Sequence, residues 1–218
     1  MSDPGPPPTS AEATVLPGAL RTPQQQRSRE KVSRILAATA RLLEERPYDE
    51  VGTKLIAAEA GVSVGVLYRF FPDKHAIVTA LTVDWLDRIV RIADRTLAGP
   101  LPADPRELIG RLVSEHSRFR AEQPGFRRLW YDGPPLPALR EYDRASDQAV
   151  ADLIRAALVR DYGYADTPAF ALRTRLAVHT AADLLNAAFR DHPDGAPEIL
   201  AEIELLLNRW LLALPDTE

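Results

Sequence analysis

Val32, Ile35, Leu36, Ala40 and Leu43 return every three or four residues, the period of one helical face, and the pattern stops at Pro47-Tyr48. The spacing predicts a first helix over about 26–45. Thr53 is placed to cap a short second helix, "KLIAAEA", and Gly61 to end it in a left-handed conformation. Ser63 then caps a third helix, "VGVLYRF", which must stop at Phe71 because the residue before a proline avoids the helical region. Asp73 restarts the chain into a long fourth helix with Ile77, Val78, Leu81, Trp85, Ile89, Ile92 and Leu97 on one stripe.

Beyond Gly99-Pro100 helical patterns alternate with proline-rich breaks. Asp104-Pro105-Arg106-Glu107 combines a cap, a first-turn proline and an acidic residue, and opens a helix carrying Leu108, Leu112, His116 and Phe119. "GFRRLWY" reads as a short helix or turn and "DGPPLPA" as a loop. Leu139, Tyr142, Val150, Leu153 and Ala157 mark a helix over about 136–162. Thr167-Pro168 caps the next, which reaches about Arg190, and after "HPDGAP" a last helix ends near Leu214. Neither strands nor internal repeats are legible, so the expected fold is all-α.

Composition narrows the function classes. The 218 residues are 45% hydrophobic, ordinary for a globular protein, and include no cysteine. This rules out a disulfide scaffold or a thiolate zinc site and fits a reducing cytoplasm. No apolar run approaches the roughly 18–20 residues that span a bilayer, so no membrane partner is expected. Residues 1–22 are rich in Pro, Ser, Thr and Ala, lack the marks of a secretory signal, and are expected to be a mobile tail. Net charge is −4, yet from Arg21 to Lys74 ten basic residues face seven acidic ones, whereas from His75 to Glu218 seventeen face twenty-two. The small N-terminal part is therefore the basic one, the polarity that nucleic acid would favour.

Gly61-Val62-Ser63-Val64-Gly65 matches G-x-S-x-G, the nucleophile elbow of serine hydrolases. An elbow needs a buried strand leading into it, and the segment leading in here is alanine-rich with helical spacing. None of His75, His116, His179 and His192 follows a plausible strand with an acidic partner, so a triad is not expected. The same residues suit two short helices crossing through a tight turn, with Gly61 making the turn, Val62 pointing inward and Ser63 capping. Such a turn is either a helix-turn-helix reader of DNA or a plain corner of an all-α protein.

The whole stretch "TKLIAAEAGVSVGVLYRFFPDKHAIVTAL" strongly resembles the DNA-binding domain of the TetR family of bacterial transcriptional repressors. The pattern falls on Thr53, Ile56-Ala57, Ala60 to Ser63, Gly65, Leu67-Tyr68, Phe71 and Lys74, and "ILAATARLL" resembles the family's first helix. The resemblance covers about residues 28–85 and implies a non-enzymatic regulator that needs no cofactor or metal. It implies that Tyr68, Lys74 and Thr53 hold phosphates, with Ser63 beside them as a cap, and that Lys54 reaches a base. Each neutralised phosphate adds about 0.9 log units of salt dependence. Arg27 and Arg29, just before the first helix, are further candidates. Phe70 stands where the family often has a phosphate-binding His, and Val66 where it often has Thr. Val64, Gly65 and Val66 thus present an apolar leading edge, leaving readout to Lys54, Arg69, thymine methyl contacts and DNA shape.

The resemblance further implies three divisions: the tail, a DNA-binding domain over 23–74, and a larger ligand-binding and dimerisation domain over 75–218. The expected homodimer surface comprises Leu176, Thr180, Leu184 and Ala188 on one helix and Ile199, Ile203, Leu206, Leu207 and Trp210 on the last. The expected site for a small-molecule effector draws on Trp85, His116, Phe119, Phe126, Trp130, Tyr131, Tyr142, His179 and Asp183, an apolar and aromatic set with a few polar groups. "FRRLWYDGPP" is the expected pocket wall or gate.

Overall fold

In a computed structural model that describes residues 23–133 and 139–212, α1 runs Pro23–Glu45, three residues longer at its start than the apolar period predicts. The N-terminal tail and most of the "DGPPLPA" loop lie outside the described residues. A single 3-10 turn, Tyr48–Glu50, leads into α2 (Thr53–Glu59), then α3 (Val64–Phe70) and α4 (Lys74–Ala98). There follow α5 (Pro105–Glu122), α6 (Phe126–Asp132), α7 (Leu139–Tyr162), α8 (Pro168–Arg190) and α9 (Pro197–Leu206). The last described turn, Leu207–Leu211, is π-helical. Among the described residues there are nine α-helices and no strand, the all-α fold expected.

Local chemistry explains most boundaries. Ser63 Oγ accepts from Val66 N–H at 3.2 Å, Asp73 Oδ1 from Ala76 N–H at 2.7 Å, and Thr167 Oγ1 from Phe170 N–H at 3.1 Å. Gly61 adopts φ 62°, and the amides of Gly61 and Val62 close on the carbonyls of Ala58 and Ala57, a paired C-terminal lock that needs a left-handed residue. Thr53 is a correction. Gly52, in extended conformation and without a side-chain bond, is the N-cap of α2, so the helix begins at Thr53 and its hydroxyl is free to point sideways. Because α1 starts at Pro23, Arg27 and Arg29 lie inside its first two turns, not before it.

Two apolar cores form. The first joins α1, α2 and α3 through Ile35, Leu43, Ile56 and Leu67 to the near end of α4, and it is closed by Phe126 and Leu129 of α6. The second packs the far end of α4 with α5, α7, α8 and α9, with Leu108, Leu158 and Ile203 fully buried. Burying each such side chain contributes about 1.5–3 kcal/mol. Helix α4 belongs to both cores: Ile77 and Trp85 sit in the first, Leu97 in the second.

The α5–α6 turn meets α1 closely. Gly125, at φ 71°, brings its amide to Glu44 Oε2, and a Cβ at this position would lie 2.5 Å from the carbonyl oxygen of Ala40. Only glycine fits both the left-handed backbone and the close approach.

Candidate nucleic-acid interface and effector cavity

Helix α3 has two unlike sides. Leu67 is fully buried, while Val64 and Phe70 pack partly on the first core. Phe70 thus spends its ring on packing, and Val64 offers only part of its surface outward. Ser63, Gly65, Tyr68 and Arg69 are exposed, with Val66 half-buried beside them. Tyr68 is 49% exposed, and its hydroxyl lies 3.0 Å from Thr53 Oγ1, tying α3 to the start of α2. Lys54 is exposed next to Thr53, and among the described residues neither Lys54 nor Arg69 is held in an ion pair. Lys74 is half-buried: its Nζ donates to the Tyr48 carbonyl at 3.0 Å and sits 3.8 Å above the Tyr48 ring, a cation–π contact. The fold thereby fixes the ammonium at the α3–α4 corner with two N–H groups left to give. Burial, with Asp49 and Asp73 adding to it, raises the Tyr48 phenol above its ordinary value.

Gly65 is informative in the opposite way to Gly125. A Cβ there would meet nothing within 4 Å, and its φ is not positive, so neither packing nor backbone conformation demands glycine. The side-chain-free surface faces outward, between Tyr68 and the cap at Ser63.

A second feature lies in the larger core. An apolar cavity, about 700 Å³ of atom-free space including its open end, is walled by α4 (Ile89, Ile92), α5 (Ile109, His116), α7 (Asp147, Val150), α8 (Val178, Leu185) and the last turn. His116 is half-buried, and its Nε2, itself out of solvent, has no hydrogen-bond partner among the described residues. Desolvation, then the nearby Arg120 charge, holds its pKa well below 6.5, so the ring is neutral. Asp147 Oδ2 is 3.1 Å from His179 Nδ1, yet burial outweighs that bond and pushes the carboxyl up to about 6. The same bond, more than any other influence, raises the His179 pKa.

Of the nine residues expected around an effector, His116 alone lines this cavity, and the others lie elsewhere. Trp85 and Phe126 are fully buried in the first core with ring centroids 5.3 Å apart; Phe119 and Trp130 pack on Phe126 at 5.9 and 5.3 Å. These rings plug the junction between the cores because their large apolar surface is worth more in packing than beside a void. Tyr131 is taken by Arg120, whose Nη1 donates to its hydroxyl at 3.1 Å and to Asn186 Oδ1 at 2.8 Å; Trp130 Nε1 donates to the same Asn186 oxygen. Tyr142 and Asp183 are solvent-exposed, as is His179, which touches the cavity only through Asp147. The described part of "FRRLWYDGPP", residues 126–133, does not wall the cavity, and Pro134 and Pro135 lie outside the described residues: Arg128, Asp132 and Gly133 border an open hollow with Pro47, Tyr48 and Asp49, and Arg127 bonds the Arg190 carbonyl. Asp147 was not anticipated. Its signal is a carboxylate three and seven residues before Val150 and Ile154, on their helical face.

The expected dimer stripe also splits. Leu176 and Trp210 are exposed, together with Leu172 and Leu205, whereas Ala188, Ile203 and Leu207 are buried in the second core. Ala188 lies three helical turns from the buried Ala177 and so shares its inward face. Thr180, Leu184, Ile199 and Leu206 are half-buried at the border. Among the described residues no helix is long and apolar enough to cross a membrane.

Comparison with known proteins agrees with this geometry. Residues 35–81 match the family model described as bacterial regulatory proteins, tetR family, and residues 104–211 match the tetracyclin repressor-like C-terminal domain. The chain is 27% identical over 210 residues to the HTH-type transcriptional regulator EthR of Mycolicibacterium smegmatis, covering 90% of this chain and 94% of that one. It is 42% identical over 76 residues to the HTH-type transcriptional repressor KstR of the same organism, covering 34% and 37% of the two chains. A TetR-family transcriptional regulator from Streptomyces coelicolor superposes with a TM-score of 0.64 at 28% identity, over 83% of this chain and 97% of that one. The chain belongs to the TetR family of bacterial transcriptional regulators, with an N-terminal DNA-binding helix-turn-helix followed by a helical C-terminal domain.

Proposed function

We propose that this regulator is a repressor that binds a palindromic operator as a homodimer and is released by a small-molecule effector. The observation that carries the reading is the course of α4. It starts at Lys74, beside the recognition helix α3, and continues unbroken to Ile89, Ile92 and Ala93 in the cavity wall. A molecule that reshapes the cavity therefore displaces the element on which the DNA-reading helix is seated. In a dimer the two α3 helices must sit about 34–36 Å apart to enter successive major grooves, so a small change of α4 angle breaks the match. The effector acts only through its preference for the non-binding arrangement.

In this reading Tyr68, Lys74, Thr53 and Ser63 hold the phosphate backbone, and Lys54, Arg69, Gly65 and Val66 meet base edges, with Val64 at the margin. Residues 23–74 form the DNA-binding unit and 75–218 the regulatory unit. Leu172, Leu176, Leu205 and Trp210, four large apolar side chains left in solvent on α8, α9 and the last turn, supply the homodimer surface. Repression is drawn from the KstR relative's designation as a repressor.

A mobility-shift titration with DNA flanking the protein's own gene tests the reading. Saturable, salt-sensitive binding to a palindromic segment is expected; failure to bind any palindrome at low salt overturns it.

A further inference from the structure

The apolar cavity is lined by two polar side chains, one on α5 and one on α7. His116 of α5 presents a buried Nε2 with no partner, and Asp147 of α7 presents a carboxylate with a side chain only 19% exposed. The remaining wall is aliphatic. A buried polar atom without a partner costs free energy until something satisfies it, and a carboxylate in such a wall is relieved by a hydrogen-bond donor or a cation.

Asp143 and Asp183 add negative potential at Asp147, opposed by His179, which is hydrogen-bonded to it at 3.1 Å, and by Arg120. Arg120 is the nearby buried cation, but it does not line the cavity, and its Nη1 is committed to Tyr131 and Asn186. A carboxylate-bearing molecule in the cavity would set its head against Asp147. An ammonium would replace water around that carboxylate with a charge-assisted hydrogen bond, while the neutral His116 ring could accept a second N–H.

Resting on the reading of this cavity as the effector site, we propose that the effector is a lipophilic amine: an aliphatic body along the cavity and a protonated amino group held by Asp147 and His116. Fatty acids and other carboxylates of the same shape are disfavoured. Asp147 is then the specificity-determining residue. Its pKa, pushed up by burial, falls when the amine binds, because the cation restores the stabilisation of the charged form that desolvation removed.

The test is calorimetric titration of the full chain with 1-octylamine, 1-octanol and octanoate, probes of one chain length that differ in the head group. Octylamine is expected to bind about tenfold more tightly than octanoate, with octanol between. Asp147→Asn should bring octylamine down to the octanol level while leaving octanol affinity unchanged, and His116→Phe should weaken octylamine and octanol together. Circular dichroism of each variant confirms that it is folded. Octanoate binding as tightly as octylamine would show that Arg120, whose Nε is also unpartnered, sets the selectivity, and would overturn the proposal while leaving the cavity as the effector site. An amine preference surviving in Asp147→Asn would overturn it in the same way. If none of the three probes binds, the effector-site reading fails and the proposal falls with it.

Discussion

The hydroxyls of Thr53 and Tyr68 stand 3.0 Å apart, joining the first turn of α2 to the exposed side of α3. Two residues expected to grip phosphates thus hold each other in place before DNA arrives, so the entropy of orienting them is already spent. Tyr68→Phe removes the shared hydrogen bond at an exposed site. Its effect on stability should stay under about 1 kcal/mol, while affinity falls by about tenfold for operator and non-operator DNA alike. Thermal unfolding and mobility-shift titrations on two unrelated sequences check both halves; an affinity loss confined to the operator would assign Tyr68 to base reading instead.

Gly65→Ala should move stability and DNA affinity in opposite directions. A methyl group there meets nothing within 4 Å, and alanine favours a helix over glycine by about 1 kcal/mol, so the melting temperature should rise by a few degrees. On bound DNA the same methyl intrudes where the backbone of α3 approaches, and operator affinity should drop. Unchanged affinity would mean that α3 sits farther from the groove than proposed.

Gly125→Ala is expected to destabilise the chain by about 2 kcal/mol or more, because strain at φ 71° adds to a Cβ only 2.5 Å from the Ala40 carbonyl oxygen. The turn must lift from α1, weakening the contact of Phe126 with the first core. A lowered denaturant midpoint, with Trp130 fluorescence changing in the same transition, checks it.

His116 should make the protein acid-sensitive. The unfolded chain takes up this proton near 6.5, whereas the folded chain resists until well below, so the unfolded state binds more protons and stability falls as pH drops below 6.5. Asp147, at about 6 against an ordinary 3.8, and His179, also raised, act in the opposite sense: each favours the folded state as pH falls, and their contributions cancel when variant and parent are compared. Relative to the parent, His116→Phe should therefore gain about 1 kcal/mol between pH 6.5 and 5.5. Urea unfolding of both proteins at those two pH values measures the difference; a constant gap would show that His116 takes up its proton as readily in the fold as in the unfolded chain.

The helix ends were legible because their causes are local. Ser63, Asp73, Asp104 and Thr167 each accept a backbone N–H two or three residues ahead, and Gly61 closes α2 with amides of its own turn. Thr53 shows the limit of that reasoning, since its hydroxyl prefers a partner fifteen residues away on another helix. The cavity was the least legible feature. Aromatic residues were expected to surround it, but Trp85, Phe119, Phe126 and Trp130 pack against one another where α6 seals the first core. The walls are instead ordinary aliphatic side chains, which look in sequence like any other core.

Short-range spacing alone determined the all-α architecture and the two short helices meeting at a tight turn, because helical period, caps and turn glycines act within a few residues of chain; that the turn reads DNA was legible only through the family resemblance. The rotation of α8 and α9, which buries Ala188 and Ile203 and leaves Leu176 and Trp210 in solvent, was decided only by packing. So was the placing of both His116 and Asp147, thirty-one residues apart in the chain, in the lining of one cavity. A helix stripe records that a face is apolar; which part of it touches a neighbour, a void or a second molecule depends on the angles at which helices pack, and those are set by all of them together.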